Sequence, residues 1–126
     1  MGCDVTAFAE IRLEDRWEHA GSVNINRCYV GFGFMVNGHA RAAYIKGVAN
    51  ERGLPKDINP YTKKMIEAFC CHTYSWLTYR ECETVNELCR EHDDSMTNYN
   101  LIPVHKDDFP VRLKEDNFRL VFGFDS

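Results

Sequence analysis

Cys3-Asp4-Val5-Thr6-Ala7-Phe8-Ala9-Glu10-Ile11-Arg12-Leu13 alternates along its whole length. Cys3, Val5, Ala7, Ala9, Ile11 and Leu13 share one face of an extended chain, and Asp4, Thr6, Phe8, Glu10 and Arg12 share the other. Successive strand side chains point to opposite faces, so this run reads as a strand with one face on a core. Phe8 predicts partial cover for the second face as well. Glu14-Asp15 turns the chain, and Trp17 to Val23 returns it as a second strand, making a hairpin. At the far end Phe118, Leu120, Phe122 and Phe124 alternate in the same way and predict a buried final strand. That strand can return beside the first.

Helical signals lie between these strands. Asn59-Pro60 supplies a cap and a first helical position, which predicts a short helix over Pro60 to Phe69. Thr78 followed by Glu81 is a capping box, so a second helix should begin near Tyr79 and run to His92. Ser22 to Gly38 is ambiguous. Tyr29, Phe32, Met35 and Val36 fit helical spacing, starting after Asn24 or Asn26 as cap, but Gly31 and Gly33 each cost about 1 kcal/mol in a helix interior, and Tyr29 to Val36 also alternates as a strand with the glycines on one face. The helical reading is preferred. No lysine follows these glycines at the spacing a phosphate-binding loop requires. Arg52-Gly53-Leu54-Pro55 is a loop, the polar run from Asp93 to Asn98 another, and Pro103 and Pro110 bound a weakly extended segment. The expected fold class is α+β: a small antiparallel sheet from the N- and C-terminal strands, with two or three helices inserted between them. Residues 1–126 are read as one globular domain.

Composition limits the function. The 126 residues are 44% hydrophobic and 13% aromatic, which argues for a folded chain. The formal net charge of −4 disfavours nonspecific binding to a nucleic acid backbone. No apolar run approaches the ~20 residues of a membrane span. Met1-Gly2-Cys3-Asp4 lacks the basic and apolar regions of a secretory signal, so a cytoplasmic address with reduced thiols is expected.

Four of the six cysteines and two of the five histidines fall between Cys70 and His92. Taken as extended, Cys70 and His72 share a face and Cys71 points away. Cys82, Val85, Cys89 and His92 run down one stripe of the expected helix. Cys70, His72, Cys89 and His92 would complete a tetrahedral set for a structural zinc. Cys71 or Cys82 could replace any of these thiolates, and Cys3 could join from a neighbouring strand. Cysteine also serves as a small buried hydrophobe, and the same stripe makes a core face without a metal.

Catalytic constellations are thin. There is no G-x-S-x-G elbow, and no acidic residue is evident to orient His72 towards Ser75. Six scattered cysteines do not single out an activated thiolate. Asp4, Glu67 and Glu81 are candidate bases for a metal-dependent hydrolase. Arg27, Arg41 and Arg52 could pair phosphates, and Tyr74, Trp76 and Tyr79 could stack a base. Binding is favoured over catalysis.

Five short motifs give a resemblance. Met1-Gly2-Cys3-Asp4, Arg27-Cys28-Tyr29, Gly53-Leu54-Pro55, His72-Thr73-Tyr74-Ser75-Trp76-Leu77 and Phe122-Gly123-Phe124-Asp125 occur in this order over nearly the whole chain. The set resembles a family of phage and prophage accessory proteins that start Met-Gly-Cys-Asp-Ile-His and carry a His-Ser-His-Ser-Trp-Leu motif. Thr6 and Tyr74 depart from it, standing where the family pattern has histidines. The resemblance implies an anti-defence protein in the bacterial cytosol. Such a protein would bind and inhibit a host defence enzyme, as an anti-CRISPR inhibitor of an effector nuclease does, with zinc holding its fold. The alternative is a small metal-dependent enzyme or nucleotide-binding protein acting on a defence signalling nucleotide.

Overall fold

The computed structural model describes residues 2–70, 72–92 and 100–125. Its elements follow in the order β1 (Asp4–Leu13), β2 (Arg16–Val23), α1 (Tyr29–Met35), α2 (Pro60–Phe69), β3 (His72–Thr78), α3 (Tyr79–His92) and β4 (Phe118–Asp125). The four strands form one antiparallel sheet in the order β2-β1-β4-β3. The expected α+β architecture is present: the terminal strands β1 and β4 lie side by side at the centre, and the helices lie between them in sequence.

β4 has a core on both faces. Phe118, Leu120, Phe122 and Phe124 point into the main core, with Ala7, Ala9 and Ile11 of β1, Phe32 and Met35 of α1, and Val85 and Cys89 of α3. The opposite face carries a smaller core of Phe8, Ile66, Cys70 and Val121 under α2. This is why Phe8, on the second face of β1, is only 5% exposed.

α1 starts later than either expected cap, Asn24 or Asn26: Cys28 is the cap, its sulfur accepting from Gly31 N at 3.4 Å. The glycines that made α1 ambiguous are required by packing. A Cβ on Gly31 would collide with a methyl of Leu101, and one on Gly33 would lie 2.8 Å from the Cβ atoms of Ala42 and Ile45. The helical propensity lost there is exchanged for close approach of the neighbouring chain. Pro60 to Phe69 is helical as expected, with the Asn59 side chain accepting from Tyr61 N. The capping box of α3 is formed both ways: Thr78 Oγ1 accepts from Glu81 N (3.2 Å), and Glu81 Oε1 accepts from Thr78 N (3.0 Å).

Two segments differ from expectation. The chain after Cys70 becomes β3, pairing with β4 across a bulge between His72 and Ser75. Mixed apolar and polar residues without clean alternation hid this strand. The stretch between Pro103 and Pro110 contains a short 3-10 turn at Lys106–Asp108. Its Asp107-Asp108 pair is compatible with that turn and poor for an extended chain. The expected loop from Asp93 to Asn98 lies outside the described residues, as does Cys71.

Candidate functional site

α2 covers only part of its face of the sheet. The uncovered part is the floor of a cleft of about 690 Å³, walled by the loop through Leu54, Pro55 and Lys56 and by Glu115 and Asp116 before β4. The register explains the floor. Trp17 of β2 is opposite Arg12 of β1, Glu10 of β1 is opposite Arg119 of β4, and Arg119 is opposite Thr78 of β3, two residues beyond Trp76. Residues two apart on a strand share a face, so these side chains cross the sheet from edge to edge on one side.

Two arginine–tryptophan stacks dominate the cleft. The guanidinium carbon of Arg119 is 4.0 Å from the ring centroid of Trp17, and that of Arg52 is 4.5 Å from the ring centroid of Trp76. Contacts at this range are cation–π interactions. A carboxylate holds each arginine over its ring. Glu10 accepts from Arg119 Nε at 2.7 Å, and Arg52 makes two 2.7 Å bonds to Glu81. Two-pronged pairing of this kind fixes the plane of a guanidinium as well as its position. Each carboxylate also serves a helix start: Glu10 Oε2 accepts from the backbone of Asn59, the cap of α2, and Glu81 belongs to the capping box of α3.

Charge in the cleft is largely neutralised. Glu10 is fully buried against Arg119, and Asp57 accepts from Arg119 Nη1 at 2.7 Å. That hydrogen bond holds the Asp57 carboxyl below its ordinary range. Burial works against ionised Glu81, but the bonds from Arg52 and Thr78 outweigh it and leave the group below its ordinary range. Glu115 accepts from the backbone of Arg80. Arg12 and Lys56 line the cleft, are exposed, and have no ion pair among the described residues.

A second polar cluster lies at the opposite end of the sheet. Cys3 Sγ is 3.7 Å from His39 Nε2, and both residues are buried. His39 Nδ1 accepts from the backbone of Arg41 at 3.2 Å. That network assigns the imidazole proton to Nε2, facing the sulfur. A base for Cys3 would need a free lone pair there, so this is not the arrangement of an activated nucleophile. Burial pushes the Cys3 thiol up and the His39 imidazole down, keeping both neutral. Arg27 pairs with Asp4 through two 2.9 Å bonds, and Tyr29 accepts from Cys3 N. Several residues of the motifs quoted above therefore meet at this end, while Leu54, Pro55 and Trp76 line the cleft.

The four residues expected to hold zinc lie in different surroundings. Cys70 ends α2 and packs in the smaller core, where a Cβ on Gly123 would lie 2.8 Å from its own Cβ. The His72 ring stacks on Phe124, which belongs to the other face of β4. Cys89 is buried in the main core and His92 packs edge-on to Phe34. Among the described residues no three or more His, Cys, Asp or Glu side chains gather at metal-binding distance. Burial pushes Cys89 up to about 12, so its thiol is neutral in this setting. Cys82 of the same stripe is buried and its thiol is also raised.

Arg52 and Trp76, both named from the sequence as phosphate and base partners, do meet in the cleft. Arg27 and Arg41 lie at the other end of the sheet, with Arg41 over the ring of Tyr29 at 5.2 Å. Trp17, Arg12 and Arg119 were not anticipated. The signal was a charged residue on the second face of each central strand, Glu10 in β1 and Arg119 in β4, since two such strands paired would bring opposite charges together. Among the described residues no helix is long and apolar enough to cross a membrane. Comparison of the chain with protein-family models, curated proteins and solved structures returned no match.

Proposed function

We propose that this domain binds a planar, phosphate-bearing small molecule of the nucleotide class in the cleft between Trp17 and Trp76. The observation that carries the reading is the pair of arginine–tryptophan stacks lining one cleft. Indoles held by packing and ion pairs offer aromatic surface without further ordering, and stacking on such surface is worth about 1–3 kcal/mol per base. Arg12 and Lys56 supply cations for phosphate that do not first have to leave a carboxylate. The resemblance to phage accessory proteins supports a use for such binding: stoichiometric removal of a defence signalling nucleotide. Tryptophan fluorescence and thermal shift against a panel of linear and cyclic nucleotides test the reading. Quenching with an upward shift in melting temperature is expected, and a flat response to every nucleotide overturns it.

A second reading is direct inhibition of a host enzyme such as an effector nuclease. Its support is an apolar strip on α2, where Tyr61 and Phe69 are 54% and 56% exposed and lie about two turns apart. Pull-down with host effector nucleases, comparing the chain with Tyr61→Glu and Phe69→Glu, tests it. Equal capture by all three proteins, or no capture by any, rejects it.

A further inference from the structure

The order of side chains across the cleft floor carries more information than the presence of each. From one edge of the sheet to the other it runs Trp17 on β2, Arg12 on β1, Arg119 on β4 and Trp76 on β3. An aromatic surface therefore stands at each edge, with cationic groups between. Neighbouring strands are about 4.8 Å apart and the pairing sets Trp76 four residues along the strands from the level of Trp17, so the backbones carrying the two indoles are separated diagonally by about 20 Å. Side chains shorten that span. Arg119 of β4 meets the Trp17 ring across β1, and Arg52 reaches Trp76 from the loop beside β3.

A single ring with its phosphate can use one indole and the nearest cation, which leaves the other indole idle. A ligand with two rings joined through phosphate uses the floor in its own order: ring, phosphate, ring. Resting on the nucleotide reading above, we propose that the ligand is a dinucleotide, with one base against the Trp17–Arg119 stack and the other against the Trp76–Arg52 stack. The linking phosphate then lies over Arg12. That side chain is exposed and has no ion pair among the described residues, whereas Arg119 is held by Glu10 and Asp57 and Arg52 by Glu81. Arg119 is nearly buried and backs the Trp17 ring, Arg52 is held over Trp76, and Arg12 is the exposed cation left for the ligand. Lys56 on the loop wall is placed to meet a terminal or second phosphate.

The experiment is calorimetric titration of the full chain with adenosine 5′-monophosphate, linear pApA and cyclic di-adenylate, and with the guanine counterparts. At least one dinucleotide is expected to bind about 10-fold or more tightly than its mononucleotide, because a second stacked base is added. Equal affinity for mono- and dinucleotides overturns the two-ring assignment and leaves the nucleotide reading standing. No binding of any of the six overturns both. Trp17→Ala and Trp76→Ala, their folding checked by far-ultraviolet circular dichroism, supply the second arm. Each should bring the dinucleotide down to mononucleotide affinity. If either leaves dinucleotide affinity unchanged, that indole is not a platform and the assignment fails. The titration of the unmodified chain decides the matter even if a variant does not fold.

Discussion

Glu10 is the residue on which the cleft most depends. It is fully buried, and its two oxygens serve Arg119 and the backbone of Asn59. Removing one member of a buried pair costs about 3–5 kcal/mol, because the remaining charge stays desolvated. Asp57 still faces Arg119, so Glu10→Ala is expected at the lower end of that range, measured by urea denaturation. A loss under about 1 kcal/mol would show that Arg119 is solvated by other means. His39 makes a second prediction at this scale. Burial first, then the nearby His72 and Arg41, lower its pKa in the fold. The unfolded chain therefore takes up this proton first. The contribution of His39 is complete above its ordinary value of about 6.5 and is lost as pH falls below it towards the lower folded value. Burial lowers His19 in the same direction. The carboxylates Asp57 and Glu81 are also lowered, but their contributions are lost only below their ordinary range near 4. Denaturation at pH 7.5 and pH 5.5 should thus show lower stability at the acid point, and His39→Leu should reduce the difference. An unchanged difference would remove His39 as a source.

At the scale of elements, local chemistry was largely legible. Asn59-Pro60 and the Thr78/Glu81 box mark helix starts because caps act within four residues, and both form as read. Alternation in β1 and β4 was equally local. What could not be read was anything decided by a distant neighbour. α1 tolerates two glycines because Leu101, Ala42 and Ile45 press on it. β3 exists because β4 pairs with it, despite a bulge and a positive φ at Thr73. Cys70 and Cys89 sit in two cores because β4 separates them, and no spacing rule contains that fact. The cap of α3 can be tested by itself. Thr78→Ala removes the oxygen that accepts from Glu81 N and should cost about 1 kcal/mol by chemical denaturation. Glu81→Ala should cost more than Thr78→Ala, since it also releases Arg52 from its place on Trp76. Equal costs would mean that the Arg52–Glu81 pair adds nothing beyond the cap, as partly exposed pairs often do.

Across the whole molecule, the sheet packs the main core on one face and is only half covered by α2 on the other, and the proposed ligand would complete the second. α2 closes the half that holds Phe8, Ile66 and Val121, and the cleft opens over the other half. A ligand there would touch side chains from all four strands at once. It would bind the folded chain and not the unfolded one, so it would stabilise by mass action, about 2.7 kcal/mol at a concentration 100 times the dissociation constant. The distribution of that stabilisation identifies the ligand geometry. β2 and β3 are the sheet edges, where amides open most readily, and each carries one tryptophan. A two-ring ligand bridging both should slow amide hydrogen exchange in β2 and β3 together, at the same ligand concentration. A mononucleotide should slow exchange at one edge and leave the other near its free rate. If the dinucleotide protects a single edge, the second indole lies outside the contact. If protection appears instead at the Cys3–His39 end, the ligand has chosen the other polar cluster and the cleft has been misassigned.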